Sequence, residues 1–151
     1  MNVAWDPIAQ RFTTSGTNAA FVIDVNAPRT DPTTPPTGFS PTELLLAGAG
    51  ACAAWDVIEI MRKRRRPLTS LAVRVEGDQT AKPPHAYERV HLHFTVSGPG
   101  LEHAELQRVL RLSLDRYCSV LATIRPGTKI EESIEIIDVP AADQAGTALT
   151  A

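Results

Sequence analysis

The sequence has no run of roughly 20 uncharged apolar residues, so no segment reads as a membrane span. Its longest apolar stretch, residues 44–55, is short and made mostly of Ala and Gly. Excess charge is also lacking. A net charge of −2 and a pI near 6.1 provide no field to draw in nucleic acid or an anionic membrane. Aromatic residues make up only 5%, too few for a base-stacking surface. The start, MNVAWDPIAQRF, lacks the basic lead and apolar core of a secretory signal, so a cytoplasmic location is expected. Cysteine is scarce, with only Cys52 and Cys118 present. In a reducing compartment a static disulfide between them is not expected. That leaves two buried inert thiols or a catalytic dithiol. No CxxC, HExxH or EF-hand pattern occurs, so no metal is expected. The AGAGA stretch is not followed by Lys-Ser/Thr or preceded by a strand, which excludes a phosphate loop.

What is present fits a single globular domain over 1–151, with 43% apolar and 21% charged residues. Residues 2–26 predict a short β-hairpin, QRFTTS and AAFVIDV flanking GTN. The hairpin and a proline-rich connector, NAPRTDPTTPPTGFS, account for 1–39. Ser40, Pro41 and Glu43 then form a helix-start signature: an N-cap, a first-turn proline and a capping-box acid. The helix is predicted over 40–64, ended by KRRRP, and is apolar all round for most of its length. Gly48 and Gly50 each cost about 1 kcal/mol in a helix interior, which calls for close approach by another backbone or helix. The basic run Arg62–Arg66 suits the negative end of the helix dipole better than a nucleic-acid patch.

Two alternating runs, LTSLAVRVE and ERVHLHFTVS, predict an antiparallel ribbon over 68–97. A second helix from Leu101, with Leu106, Val109, Leu110 and Ser113 on one face, and a short helix in CSVLATI occupy 101–124. KIEESIEIIDV predicts a last strand over 129–138 with Ile130, Ile134 and Ile136 inward, followed by a frayed tail from 140 to 151. Strands and helices in this order make an α+β domain.

Among chemical candidates, Cys52 sits in mid-helix, roughly 15 Å from its own helix start, so that helix's dipole cannot activate it. A cation or another helix end has to come from elsewhere. Cys118 directly precedes Ser119, a potential cap of the short helix, with Arg116 and Arg125 near in sequence. Glu43 lies about 180° around the helix from Cys52. His91 and His93 have metal-ligand spacing on a strand, but they oppose Val90, Leu92 and Phe94, and a solvated face is the preferred reading. His85 lies in a proline-rich loop and is no more specific.

SPTELLLAGAGACAAWDV resembles the central-helix motif of the OsmC/Ohr family of osmotically inducible and organic-hydroperoxide-resistance proteins, found in bacterial oxidative stress responses. LSLDRYCSV resembles that family's second-cysteine segment. The resemblance implies an OsmC-type fold: antiparallel β-sheets packed around long central helices in an intertwined homodimer, with Gly48 and Gly50 serving close helix packing. It implies that Cys52 is the peroxidatic cysteine and Cys118 the resolving one, in a thiol peroxidase acting on organic hydroperoxides. A small or protein dithiol would be the reductant, with no resident cofactor. The family's peroxidases carry a glutamate directly after the motif proline and an arginine in the N-terminal hairpin. Here Thr42 stands at the first position, with Glu43 one residue later, and Arg11 is the nearest arginine. Glu43 and Arg11 are therefore supporting candidates in a divergent branch. The alternative is a non-enzymatic dimer that binds a small apolar or thiol-reactive ligand at its interface.

Overall fold

The computed structural model describes residues 1–26, 33 and 38–137. Most of the predicted proline-rich connector, the end of the predicted strand 129–138 and the tail from 140 lie outside these residues. The chain divides into two compact units, Met1–Ala47 and Gly48–Ala151.

In the first unit an antiparallel meander is built from β1 (Asn2–Asp6), β2 (Arg11–Ser15) and β3 (Val22–Val25). The sequence predicts only a two-stranded hairpin here. β1 is the extra strand, and its nearly uniform exposure means that no buried/exposed alternation marks it. The β1–β2 turn is closed by Asp6, whose Oδ1 accepts hydrogen bonds from the N–H groups of Ile8 (2.9 Å) and Ala9 (3.0 Å). These bonds hold the Asp6 carboxyl below the usual carboxylate range. Trp5 and Phe12 face each other across the two strands, ring centroids 4.9 Å apart. Phe39 bridges to Val25. Glycine is needed just before it, because a Cβ on Gly38 would lie 2.5 Å from the Asp24 carbonyl oxygen.

The long helix α1 (Pro41–Lys63) follows. Its start is the capping box read from the sequence: the Ser40 N–H donates to Glu43 Oε2 (2.7 Å) and the Glu43 N–H donates to Ser40 Oγ (3.2 Å). By length and composition α1 would pass for a membrane-crossing helix, which the shorter apolar run counted in the sequence does not reveal. Its buried residues, Ala49, Gly50, Ala53, Val57 and Met61, instead form one stripe at helical spacing that enters a protein core.

That core belongs to the second unit. β4 (Ser70–Gln79) pairs antiparallel with β5 (Tyr87–Ser97). β6 (Lys129–Ile136) pairs with β5 in parallel, so the expectation of antiparallel sheets fails for this one. The cause is the connection. The chain leaves β5, passes through a helical segment and returns to the same sheet edge running the same way, as a helical crossover requires. Val90, Leu92, Phe94 and Val96 of the central strand β5 are fully buried on one face. Val57 and Met61 of α1 and Leu106, Val109 and Leu110 of α2 (His103–Leu112) are likewise fully buried. Each such side chain contributes about 1.5–3 kcal/mol on burial. Gly50 sets how closely α1 approaches β4, since a Cβ there would lie 2.7 Å from Val75 Cγ2. The close approach expected of Gly50 is therefore to a strand. Gly48 has nothing within 4 Å of its would-be Cβ.

The basic run at the end of α1 is exposed from Arg62 to Arg65, but part of it is tied down by ion pairs. Arg64 and Arg66 both reach Glu105 of α2, at 3.8 and 3.3 Å, and Arg66 also donates to the Gly100 carbonyl. On the other face of the sheet, His91 and His93 are half-buried rather than solvated. His91 Nε2 and His93 Nδ1 each lie 2.8 Å from Ser133 Oγ on β6. Parallel pairing puts Ser133 opposite His93, a register that strand periodicity alone does not reveal.

Candidate active site

The helical segment between β5 and β6 is not one helix to Tyr117 as predicted. α2 ends at Leu112, and Ser113–Tyr117 (SLDRY) forms a wider π-helical turn. The Cys118 N–H donates to the Ser113 carbonyl at 2.9 Å, closing this turn. The extra residue in the turn drops Cys118 out of helical geometry (φ −68°, ψ 99°), and α3 (Ser119–Ile124) begins just after it. Cys118 is thus the N-cap of α3, the place predicted for Ser119.

α1 supplies the other half. Cys52 and Asp56 lie one turn apart on the same helix face. The Sγ atoms of Cys52 and Cys118 and a carboxylate oxygen of Asp56 all lie within 4.8 Å of one another. Both cysteines are free thiols. Cys118 is 2% exposed and its thiol donates to the Ala49 carbonyl at 4.0 Å. Cys52 is half-buried, with its Sγ 4.0 Å from Ser119 Oγ. An incoming molecule can therefore reach Cys52, whereas Cys118 is shielded behind it. Ser113, fully buried, shares its single hydroxyl proton between Asp56 Oδ2 (3.1 Å) and the Ala53 carbonyl (3.2 Å).

The two thiols are driven in opposite directions. Burial pushes the Cys52 thiol up, but hydrogen bonds from the Val120 N–H, the Cys118 thiol (whose single proton then turns from the Ala49 carbonyl to Cys52) and the Ser119 hydroxyl outweigh it. The net result is a thiol below the usual range, with the Asp56 charge opposing part of the gain. Burial pushes Cys118 up to about 11; the Leu121 N–H works against this, and the neighbouring Cys52 adds to it. The activating helix end that Cys52 lacks on α1 is the start of α3, whose first N–H groups point at the sulfurs. Among the described residues no other group of three Cys, His, Asp or Glu ligand atoms converges as closely.

The remaining sequence candidates have side-chain partners of their own. Glu43 is engaged in the capping box. Arg11 pairs with Asp24 at 3.0 Å in the first unit. Arg125 donates to the Leu114 carbonyl (2.8 Å) and to Asp115 (3.2 Å), holding the π turn rather than a sulfur. Sequence reasoning missed Asp56 and Ser113. Asp56 had a usable signal, its i+4 spacing from Cys52. Ser113 falls on the apolar face of its helix by spacing alone, and its partner lies 57 residues away. A groove of about 490 Å³ runs past Asp56, lined by Trp55, Glu59, Ile60, Lys63, Leu112 and Tyr117 among others.

A family model described as OsmC-like protein matches residues 34–133. The Escherichia coli K12 protein YhfA is 33% identical over 98 residues, 65% of this chain and 73% of YhfA. The crystal structure of a hypothetical protein from Aquifex aeolicus superposes with a TM-score of 0.76 at 26% identity, covering 90% of this chain and 93% of that one. The organic hydroperoxide resistance protein OhrB of Bacillus subtilis shares the fold at a TM-score of 0.64 and 10% identity, covering 89% and 95% of the two chains.

Proposed function

The chain belongs to the OsmC-like protein family, and on that footing we propose that it is a thiol-dependent peroxidase reducing organic hydroperoxides through Cys52 and Cys118. One observation carries the reading: an accessible thiol with a lowered pKa and a buried thiol with a raised one, their sulfurs within 4.8 Å at the start of α3. Peroxide reduction needs a thiolate to attack and a protected thiol held back for the second step.

The Cys52 thiolate attacks the outer oxygen of the hydroperoxide, and the O–O bond breaks. The alkoxide leaves and takes a proton from solvent to become the alcohol, while Cys52 becomes a sulfenic acid. Cys118 then condenses with it, forming a disulfide and releasing water. An external dithiol restores both thiols by exchange. No step calls for a resident metal or prosthetic group, and none is routed through Arg11 or Glu43, whose side chains bond Asp24 and Ser40. The reading places the protein in the cytoplasm, where dithiol reductants are kept reduced.

We further infer a homodimer through α1. Gly48, Ala51, Trp55 and Ile58 repeat at alternating three- and four-residue spacing, the pattern of a helix-packing seam. Within one chain that seam is uncovered, with Trp55 68% exposed and Ile58 41% exposed.

The test is turnover of cumene or tert-butyl hydroperoxide with a dithiol reductant. Wild type should consume peroxide, and Cys52→Ser should not. Equal inactivity of both across several dithiols would sink the proposal. A second reading, a ligand-binding dimer without catalysis, is favoured by the groove beside Asp56 with its Trp55, Ile60 and Tyr117 walls. It expects small apolar ligands to raise the melting temperature of Cys118→Ser as much as that of wild type.

A further inference from the structure

We propose that Asp56 is the proton relay of the resolving step, carrying a proton from the Cys118 thiol to the hydroxide that leaves Cys52. The inference rests on the peroxidase reading above and concerns its second half. Forming the disulfide has a demand that the cysteines cannot meet alone. Cys118 attacks as a thiolate, yet it is buried and hydrogen-bonded to the Ala49 carbonyl as a thiol. The leaving oxygen of the sulfenic acid departs as hydroxide unless a proton reaches it. One group that takes the first proton and gives it to the second site answers both needs.

Asp56 is placed for that task. Its carboxylate oxygen lies within 4.8 Å of both sulfurs, a span bridged directly or through one water once an oxygen is attached to Cys52. Its position is fixed twice: by the i+4 relation to Cys52 on α1, and by the hydroxyl of fully buried Ser113 on Oδ2. Ser113 also bonds the Ala53 carbonyl, so its hydroxyl pins the carboxylate to the α1 backbone. The charged and titratable groups around Asp56 are Cys52, Glu59 and Lys63 on its own helix, Arg64 just after that helix, Tyr117 at the end of the π turn and Cys118 directly after it. Of these, only the two sulfurs share the cluster with the carboxylate.

The step balances as follows. The Cys118 S–H bond breaks and its proton goes to the Asp56 carboxylate. The Cys118 sulfur then attacks the Cys52 sulfur, an S–S bond forms and the S–O bond breaks. Hydroxide leaves with the electron pair and takes the proton from Asp56, so that water is released and the carboxylate is regenerated. The Cys118 sulfur is oxidised, and the sulfenic sulfur of Cys52 is reduced by the same amount.

The experiment mixes reduced wild type and Asp56→Asn with one equivalent of tert-butyl hydroperoxide. Samples are quenched at intervals, the sulfenic acid is trapped with dimedone, and the Cys52–Cys118 disulfide is counted by mass spectrometry. Asparagine keeps an acceptor for Ser113 but cannot carry the proton. Asp56→Asn is expected to form sulfenic acid at least as fast as wild type, because the Asp56 charge opposes the Cys52 thiolate. It is expected to form the disulfide about 10²-fold more slowly near pH 7. Between pH 6 and 9 wild-type resolution should be flat, since a relay passes the proton within the cluster and does not draw on hydroxide from solvent. Resolution in Asp56→Asn should rise about tenfold per pH unit, because it then depends on Cys118 ionising by itself. Asp56→Glu should restore the flat profile in part. The relay is overturned if Asp56→Asn resolves at the wild-type rate, or more slowly but with the same flat profile. Should Asp56→Asn not fold, the wild-type profile decides: a tenfold rise per pH unit excludes a relay. Absence of both dimedone adduct and disulfide in wild type would instead remove the peroxidase reading itself.

Discussion

Adding a methyl group to Gly50 tests how α1 is seated on its sheet. On an isolated helix Gly→Ala gains about 1 kcal/mol. Here the new Cβ would lie 2.7 Å from Val75 Cγ2, well inside ordinary contact. The crowded atom sits on a β-branched side chain in a strand paired along its whole length with β5, so it cannot swing aside cheaply. Forcing a methyl into a packed position costs about 1–3 kcal/mol, which cancels or reverses the propensity gain. The steric term is isolated by a double-mutant cycle with Val75→Ala, which removes the opposing methyl. In that background Gly50→Ala should stabilise by about 1 kcal/mol, so the coupling between the two sites should be about 1–3 kcal/mol. Urea unfolding at one fixed protein concentration, with the slope m unchanged, gives the four stabilities. If Gly50→Ala stabilises wild type by as much as it stabilises Val75→Ala, α1 does not rest on β4 through this glycine.

Iodoacetamide labelling against pH should separate the thiols. Cys52, whose pKa is lowered, gains its thiolate below the pH at which a free cysteine does; Cys118 should stay unlabelled until the pH approaches about 11. A labelling midpoint for Cys52 at or above that of free cysteine would contradict the role given to α3. Ser40→Ala should lower stability by about 1 kcal/mol through loss of the capping box, read as a shift of the urea midpoint. Trp55→Glu places a charge on the exposed seam of α1 and should raise the monomer fraction in analytical ultracentrifugation; an unchanged mass would remove that seam from the proposed interface.

The features legible in the sequence are those set by neighbours within a turn or two. The capping box of Ser40 and Glu43 is one, because both hydrogen bonds close within four residues. The α1 span and the β4–β5 ribbon are others, since each follows from a periodicity. β1 was missed because its exposed residues alternate very little. The parallel β5–β6 pairing was missed because a strand's periodicity is the same in either direction. The same limit hides the partner of His91 and His93: Ser133 comes beside them only through that register.

At the site the division is sharper. The sequence by itself determined the two thiols, the helix that carries Cys52 and the distance of Cys52 from that helix's own start. It could not determine what sets the two thiols apart. That was decided where the π turn releases Cys118 and starts α3, turning its first N–H groups towards Cys52 from a segment more than 60 residues away in the chain. Thiol ionisation depends on burial and on hydrogen bonds within a few ångströms. Those neighbours are assembled by the packing of α1 against the π turn and α3, which local sequence pattern does not encode.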